Sequence, residues 1–333
     1  MSQLKLLSIE LQGFRKFREP LTLELLSPAA ESLDYFVLAG PNGCGKTTVL
    51  EAIVLALGRD DLLVRDLDAK ERASSPRLRL EPGARLTAVL RDGASKREYR
   101  VSRTADVHLV SYAEGDAQRV TRDWAVLSEK LAPPVEYLSS RRVPAAVGAV
   151  QDSVKGRPPD NTEANRIWRF KHRTRQQQGR RVPGYKGPEP LDLLWMERLN
   201  RFWHEFRRDQ SSLTMTLVNP DNLDANEWDL FLYEGERRIC SIDALSSGEQ
   251  ELIAMAVPFI TEPFDGLLLV DEPELHLHPQ WQGRALRALR SIVPEAQLFV
   301  ASHADDPWDD AMSWQRRLLL PKGDPRRLGQ EDA

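Results

Sequence analysis

Residues 35–58 read YFVLAGPNGCGKTTVLEAIVLALG, which is a short apolar run, a glycine-rich loop and a second apolar stretch in direct succession. The loop at 40–47, GPNGCGKT, matches the pattern GxxxxGK(S/T) at every fixed position. Glycines at these positions let backbone N–H groups wrap phosphate oxygens, and the N-terminus of a following helix adds partial positive charge. We therefore predict a strand over Tyr35–Ala39, a phosphate-binding loop, and a helix over Thr47–Leu57 that ends at Gly58.

The side chains of this loop have separate expected tasks. Lys46 should reach the β- and γ-phosphates of ATP, and the Thr47 hydroxyl should coordinate Mg²⁺. The expected nucleotide contacts come from the loop and the first residues of the helix: Gly40, Pro41, Asn42, Gly43, Cys44, Gly45, Lys46, Thr47 and Thr48. The cofactors expected from this motif are ATP and Mg²⁺.

A second motif, LLLVDE at 267–272, is an apolar strand that ends in two carboxylates. Parallel sheets present functional residues at the carboxyl ends of their strands. Asp271 would hold the Mg²⁺ shell, and Glu272 would act as the general base that polarises a water in line with the γ-phosphate. Because an apolar strand followed by Asp and Glu is common, this prediction depends on its combination with the phosphate loop.

A third motif, LSSGEQ at 245–250, precedes an apolar helix that should run to about Phe259. Ser246 and Glu249 fit the capping box S-x-x-E, so the motif can be interpreted simply as a helix start. Alternatively, this helix N-terminus is an anion site that faces the γ-phosphate of ATP held by a second copy of the chain.

The order of these motifs, followed by LFVASH at 298–303, resembles ABC-type ATPase heads over most of the chain. In that family, two heads enclose two ATP molecules between them. The resemblance implies that Ser246 and Gly248 contact the ATP of the partner copy. It also implies that Glu272 is the catalytic base and that His303 is the switch histidine, which contacts the γ-phosphate.

Within this family, LKLLSIELQGFRKF at 4–17 resembles the opening of RecF/SMC-like and OLD-like heads rather than that of transporter subunits. The stretch DEPELHLHP at 271–279 strengthens this resemblance, because His278 stands seven residues after Asp271, where transporter heads usually have Asp. His276 and His278 could instead be metal ligands, but the resemblance favours a role at the interface between heads.

The sequence does not assign one role to Arg15 or one residue to the glutamine loop of the family. Arg15 is expected to contact nucleotide or brace the phosphate loop, with a solvated surface arginine as the alternative. The glutamine loop of the family is unassigned, and Gln118 and Gln151 are only candidates. Neither a C-terminal Toprim nuclease nor a long coiled coil is expected, since about thirty residues follow His303 and no long heptad run occurs.

The composition is that of an ordinary soluble protein, with 41% hydrophobic and 29% charged residues among 333. No apolar run reaches the roughly 18 to 20 residues of a membrane span, and Lys5 and Glu10 interrupt the start that a signal peptide would need. We expect a cytoplasmic protein without membrane association. Cys44 and Cys240 lack zinc-site spacing, so neither a disulfide nor a structural zinc is expected.

The net charge of −4 is unevenly distributed. Residues 155–186 contain ten Lys and Arg against two acidic residues, so this segment is +8 and the remainder of the chain is −12. Trp168, Phe170 and Tyr185 are interleaved with these cations, a combination suited to neutralising phosphates and stacking on bases. The segment is therefore a candidate DNA contact, and the alternative is a solvated loop whose charge balances an acidic head or partner.

The expected fold class is α/β, an ABC-type P-loop NTPase head with an antiparallel β accessory sheet and a helical, basic insertion. Alternation predicts paired strands near 4–11 and 21–26 and the accessory sheet over 85–112. The stretch from about 144 to 190, rich in Pro, Gly, Gln and Arg, predicts a linker or mobile arm rather than compact packing. The expected parts are an N-terminal ATPase lobe (1–143), a basic linker and helical insertion (144–210), a C-terminal ATPase lobe (211–320) and a tail (321–333).

These features favour an ATP-hydrolysing molecular switch. ATP would close a head-to-head homodimer, and hydrolysis would open it to control DNA or a separate effector protein such as a nuclease, in DNA repair or anti-phage defence. The alternatives are an ATP-binding assembly subunit with negligible turnover and, less favoured, the ATPase subunit of a transporter.

Overall fold

The computed structural model describes residues 4–65, 71–72, 75–114, 118–140, 147–151, 162–179, 191–221, 227–275, 277–304, 307 and 309–321. The chain forms two compact units whose segments alternate along the sequence. The first unit comprises Met1–Ser140, Asp265–Pro273 and Glu295–Ala333, and the second comprises Arg141–Phe264 and Glu274–Pro294.

The strands and helices are numbered here in chain order. The strands are β1 (Leu4–Gln12), β2 (Leu21–Glu24), β3 (Tyr35–Ala39), β4 (Arg85–Asp92), β5 (Glu98–Arg103), β6 (His108–Glu114), β7 (Gln118–Asp123), β8 (Val135–Leu138), β9 (Val150–Gln151), β10 (Ser211–Leu217), β11 (Glu227–Glu234), β12 (Arg237–Ser241), β13 (Leu267–Asp271), β14 (Gln297–Ser302) and β15 (Arg316–Leu318). The α-helices are α1 (Lys46–Ala56), α2 (Trp124–Leu131), α3 (Thr162–Gly179), α4 (Leu191–Arg207), α5 (Ser247–Thr261) and α6 (Pro279–Ile292). Short 3-10 helices cover Asp60–Leu63, Pro76–Leu78, Ile242–Ala244 and Ser313–Gln315.

A parallel five-stranded sheet in the order β15-β3-β14-β13-β8 forms the centre of the first unit. Every residue of β3, β13 and β14 is buried, because a parallel sheet covered on both faces requires uninterrupted apolar strands. The Phe36 and Phe299 rings of neighbouring strands pack with centroids 4.8 Å apart. Strand β8 completes this sheet by pairing with β13.

The first unit also contains an antiparallel six-stranded sheet in the order β2-β1-β4-β5-β6-β7. The predicted pairing of the first two strands is confirmed, with Ile9 opposite Leu23. The predicted accessory sheet is confirmed as well, but it is continuous with the first two strands because β4 pairs with β1 along its whole length. Leu86, Ala88 and Leu90 face the core in alternation, as expected for a sheet with one buried face.

The second unit differs from two sequence predictions. Residues 162–179, within the stretch interpreted as a linker or mobile arm, form α3 and bury Ala164, Ile167 and Phe170. This helical spacing of apolar residues is obscured by the polar composition of the surrounding stretch. The unit also continues through the predicted boundary at 210/211, because the Asn200 side chain of α4 bonds both the N–H and the C=O of Leu213 on β10.

In the second unit, β10, β11 and β12 form an antiparallel sheet, and β9 adds two residues beside β11. Trp203 of α4 is fully buried, and its Nε1 donates to the Ser211 hydroxyl at 2.9 Å. Within the described ranges, no helix combines the length and apolar character needed to cross a membrane.

Side chains from the antiparallel sheet and α2 satisfy the last carbonyls of α1. His108 Nε2 donates to the Ala56 carbonyl at 2.8 Å, Trp124 Nε1 donates to Leu57 at 3.1 Å, and Arg103 donates to Leu55 at 2.7 Å. A helix leaves its last carbonyls without partners of its own, so these bonds hold the end of α1 against the sheet.

His108 gives folding a pH dependence. Burial lowers the pKa of His108 below its ordinary value of 6.5, although the bond to Ala56 acts in the opposite direction. The unfolded chain therefore accepts a proton that the folded chain resists, so stability is lost as the pH falls from the ordinary pKa towards the folded pKa. We expect His108→Gln, which can still donate to Ala56, to lose less stability than the native chain between about pH 7.5 and pH 5.5 in urea unfolding.

The matched control for this experiment is His204→Gln, because His204 is exposed on α4. The control should retain the full pH dependence of the native chain. An unaltered pH dependence in His108→Gln would show that His108 does not contribute to it.

Candidate nucleotide-binding site

The glycine-rich loop connects β3 to α1, as the sequence predicts. Strand β3 ends at Ala39, and α1 begins at Lys46, one residue before the predicted start. Gly45 has a φ of 112°, and a Cβ at this position would collide with Lys16 and lie 2.7 Å from the Phe17 ring. Only glycine meets both requirements, so the loop brings bare backbone to the N-terminus of α1, where N–H groups lack helical partners.

The structure brings Thr47 and Asp271 into contact, although 223 residues lie between them in the chain. Asp271 is fully buried at the carboxyl end of β13, and Thr47 Oγ1 lies 2.9 and 3.1 Å from its two carboxylate oxygens. The Tyr137 hydroxyl on β8 donates to the same carboxylate at 3.5 Å. Hydroxyl and carboxylate oxygens are the ligands that Mg²⁺ accepts, so this pair fits the predicted metal position.

Glu272 and His303 lie at the same edge of the parallel sheet. The Glu272 N–H donates to the Ala301 carbonyl at 2.8 Å, and Glu272 Oε1 lies 4.0 Å from Nδ1 of His303. The φ of Glu272 is 49°, a left-handed conformation that few non-glycine residues adopt. Such strained positions concentrate at functional sites, because the surrounding structure must hold them in place.

Two lysines lie at the phosphate loop, and the sequence motif indicates only one of them. Lys46 is buried, and its Nζ donates to the carbonyls of Gly40 at 2.8 Å and Pro41 at 3.3 Å. Lys16, from the turn after β1, donates to the Gly43 carbonyl. Burial lowers the pKa of Lys16, Cys44 acts against this, and Lys46 lowers the pKa further.

Lys16 borders a cavity of about 320 Å³ beside the loop. Cys44 is also part of its lining, together with Phe17, Leu21, Leu319 and Leu320. The cavity therefore combines apolar walls with the ammonium group of Lys16 immediately next to the phosphate loop. Tyr137 belongs to no motif, and Lys16 has no predicted role although it lies within the opening stretch 4–17. Tertiary pairing places both side chains here.

Arg15 is neither solvated nor directed at the loop itself. It forms an ion pair with the buried Glu51 of α1 and donates to the Arg77 carbonyl at 3.1 Å. Arg77 pairs with the same carboxylate. Arg15 therefore braces the helix that follows the phosphate loop, close to one of the two functions predicted for it.

The predicted partner contacts, Ser246 and Gly248, belong to the second unit. Ser246 is the N-cap of α5 and completes the predicted capping box. Its N–H donates to Glu249 Oε2 at 3.0 Å, and its hydroxyl accepts from the Glu249 N–H at 3.4 Å. The Ser246 side chain is exposed, so a ligand can reach this helix N-terminus.

His278 is the N-cap of α6, where its Nδ1 accepts from the Gln280 N–H at 3.4 Å. Its ring lies against Trp281, with centroids 6.3 Å apart. His276 lies outside the described residues. Of the two candidates for the glutamine loop, Gln118 begins β7 and Gln151 ends β9.

The basic segment 155–186 is described only over 162–179, so Tyr185 and the cations outside this range are not described. Phe170 and Lys171 are buried within the second unit, so the prediction that they contact DNA is wrong for these two residues. They follow the buried Ile167 by three and four positions, so helical periodicity places both on the packed face of α3. DNA contact by the other cations of the segment stays a prediction.

Two family models match separate parts of the chain. The model described as "AAA domain, putative AbiEii toxin, Type IV TA system" matches residues 196–305. The model described as "AAA domain" matches residues 8–123. The first match includes Ser246, Asp271 and His303, and the second includes the phosphate loop.

Two curated proteins share short stretches with this chain. Septu protein PtuA of Bacillus thuringiensis is 42% identical over 43 residues, which cover 13% of this chain and 11% of that protein. Retron Vc95 probable ATPase of Vibrio cholerae serotype O1 biovar El Tor is 34% identical over 76 residues, which cover 19% of this chain and 15% of that protein. The matched stretches thus span less than a sixth of either relative.

Solved structures resemble the chain over nearly its whole length. An SMC head bound to the C-winged helix domain of ScpA matches with a TM-score of 0.57 and 16% identity, over 92% of each chain. An Smc head domain with an extended coiled coil, bound to the C-terminal domain of ScpA from Pyrococcus furiosus, matches with a TM-score of 0.55 and 14% identity, over 93% of this chain and 92% of the other. At this identity the likeness shows the fold alone.

The fold predicted from the motifs is therefore confirmed. The phosphate loop, the Thr47–Asp271 contact and the two AAA-domain matches lie on a fold shared with SMC heads. The chain has the fold of SMC heads and matches AAA-domain models over residues 8–123 and 196–305.

Proposed function

We propose that the chain is an ATP-hydrolysing switch in which two copies close around ATP and reopen after hydrolysis. The contact between the Thr47 hydroxyl and the Asp271 carboxylate carries this proposal, because it joins the phosphate loop to the strand that ends in Glu272. A phosphate loop, a metal-binding carboxylate and an adjacent general base are the parts that phosphoryl transfer to water requires.

The phosphate loop performs the binding step. The N–H groups at the start of α1 and the Lys46 ammonium would contact the phosphates, and the buried position of Lys46 strengthens these contacts by excluding water. Lys16 would add positive charge beside the loop. Thr47 and Asp271 would hold Mg²⁺, which when bound neutralises charge on the β- and γ-phosphates.

Glu272 performs the hydrolysis step in this proposal. Its carboxylate would accept a hydrogen bond from the attacking water and orient that water towards the γ-phosphate. The bond from the Glu272 N–H to Ala301 fixes the backbone from which this side chain projects. His303, whose Nδ1 lies 4.0 Å from the Glu272 carboxylate, would contact the γ-phosphate and respond to its loss.

The dimer in this proposal uses the N-terminus of α5. Ser246 is exposed there, and the first N–H groups of a helix attract anions. The family resemblance makes the γ-phosphate held by the partner copy the ligand of this terminus. The likeness to SMC heads in fold is consistent with this arrangement.

We further propose that closure and opening control a separate effector protein, with anti-phage defence as the setting. The matches to Septu protein PtuA, to the retron ATPase and to the model named for a putative AbiEii toxin support this setting. The SMC heads that share the fold were solved with a bound ScpA domain, which makes a protein partner a reasonable expectation. DNA contact through the described exposed cations of 155–186 is the second candidate output.

ATP should produce a dimer of the Glu272→Gln chain, and the added substitution Ser246→Arg should prevent it. Gln at 272 slows hydrolysis and so preserves bound ATP, whereas an arginine at 246 would occupy the position proposed for the partner's γ-phosphate. Light scattering with and without ATP and Mg²⁺ measures the mass in solution. Glu236→Arg, at an exposed position of the turn between β11 and β12 in the same unit, is the control for an added cation and should leave the ATP-dependent dimer intact.

If the Ser246→Arg chain dimerised as readily as Glu272→Gln alone, the proposed contact across the dimer would be wrong. Dimers in the absence of ATP would likewise contradict closure by nucleotide.

A further inference from the structure

Lys171 is a fully buried cation in the second unit, although its sequence context indicates a solvated basic arm. Its Nζ lies 2.5 Å from Asp229 Oδ1 and 3.5 Å from Asp243 Oδ2. The same ammonium donates to the Gly148 carbonyl at 3.0 Å. Helix α3, strand β11 and the 3-10 helix at 242–244 therefore meet at one charged group.

The two carboxylates extend these contacts to the backbone around the LSSGEQ motif at 245–250. Asp243 accepts from the N–H groups of Val147 at 3.0 Å and Gly148 at 2.7 Å. Asp229 accepts from the Ser241 hydroxyl at 2.7 Å, and Ser241 caps the 3-10 helix that contains Asp243. Ser241 and Asp243, on the two sides of residue 242, are thus both connected to the Lys171 ammonium.

The link continues from Asp243 into the start of α5. The Gln250 side chain donates to the Asp243 carbonyl at 2.8 Å and to the Leu245 carbonyl at 3.2 Å. Ser246, the exposed N-cap, lies between the residues that these bonds join. Two sets of bonds therefore fix the position of Ser246. One is the capping box with Glu249, and the other connects the preceding turn to Lys171.

A buried ion pair is a poor means of increasing stability, because desolvation offsets much of the attraction between the charges. It is an effective means of selecting one geometry, since each charge accepts few alternative partners in a buried site. Without the ammonium, two carboxylates would remain close together in a poorly solvated position and would repel each other. The 242–245 turn would then move to separate them.

We propose that Lys171 is a positioning residue that sets the 242–245 turn, and with it Ser246, for contact with the partner's ATP. This inference rests on the ATP-enclosing dimer proposed above and adds the group in the second unit on which that contact depends. Lys171 acts through Asp243 and the turn and does not itself contact nucleotide. The phosphate loop belongs to the first unit, so nucleotide binding by a single copy does not require Lys171.

The test compares Lys171→Met with native Lys171, both in the Glu272→Gln chain. We expect the protein concentration at half-maximal ATP-dependent dimerisation to rise by about tenfold or more, the usual size of a coupling between contacting groups. ATP affinity of the dilute, monomeric chain by calorimetry should change less than about twofold, because the phosphate loop is intact. A merely structural lysine would lower the urea midpoint of unfolding without raising the dimerisation midpoint of the folded chain.

Arg201→Met is the matched control, since Arg201 is an exposed cation of α4 that pairs with Glu197 in the same unit. If Lys171→Met does not fold, Asp243→Asn is the second variant. It removes the charge of the more exposed carboxylate that pairs with Lys171, and it should raise the dimerisation midpoint in the same way. Dimerisation at the native midpoint in the folded variant overturns the proposal while leaving the ATP-enclosing dimer in place. Failure of the Glu272→Gln chain itself to dimerise overturns the proposed function and this inference together.

Discussion

Lys46→Ala is expected to weaken ATP binding by at least about a hundredfold, because a charged hydrogen bond contributes about 1.5 to 3 kcal/mol and this ammonium would contact two phosphates. The buried position of Lys46 within the loop excludes water that could replace the lost cation. Calorimetric titration with ATP and Mg²⁺ measures the affinity. Binding by the variant should fall below detection at ordinary protein concentrations.

The control is Lys5→Ala, which removes a lysine of the same unit that pairs with Asp34 away from the loop. Its ATP affinity should equal that of the native chain. If Lys46→Ala bound ATP with native affinity, residues 40–47 would not be the phosphate-binding loop.

Glu272→Gln should bind ATP normally and hydrolyse it at least about a hundredfold more slowly, since a positioned general base contributes about 10² to 10⁴ in rate. Glutamine preserves the size and hydrogen-bonding shape of the side chain but cannot accept the proton of the attacking water. The loop and the Thr47–Asp271 contact do not involve the substituted carboxylate, so nucleotide affinity should persist. Single-turnover phosphate release measures the rate.

Glu98→Gln is the matched control, because Glu98 is an exposed carboxylate of the same unit that pairs with Arg91. It should hydrolyse ATP at the native rate. Normal turnover by Glu272→Gln would assign the general base to another group.

The parallel sheet was predictable because its strands are continuous apolar runs. Residues 35–39, 267–271 and 297–302 are buried throughout, and the motifs at their ends required them to be neighbours. Helix α3 was missed because its buried positions are separated by Arg, Lys and Gln, and composition over a long stretch conceals a period of three to four residues. No local sequence pattern indicates that segments of the two units alternate along the chain.

The candidate site was predictable where a motif encodes backbone geometry and was missed where a side chain arrives from elsewhere. The glycine pattern specifies the backbone conformation of the phosphate loop. The apolar strand specifies where Asp271 and Glu272 lie at the edge of the sheet. Lys16 and Tyr137 reach the site only through the pairing of distant strands, and nothing in the opening stretch 4–17 or in the strand 135–138 indicates these two contacts. Lys171 was predicted to be solvated or to contact DNA, because nothing in the sequence of a basic segment distinguishes a buried lysine from an exposed one.

In the proposed switch, hydrolysis requires both the Glu272 edge of one copy and the α5 terminus of another. The most direct measurement is the rate of phosphate release per chain over a wide range of protein concentration, at saturating ATP and Mg²⁺. We expect this specific rate to rise with concentration and then reach a plateau, because a single copy lacks the second half of the site. A specific rate that is measurable and independent of concentration would contradict the shared site, and ATP-dependent dimerisation without turnover would instead indicate an assembly subunit.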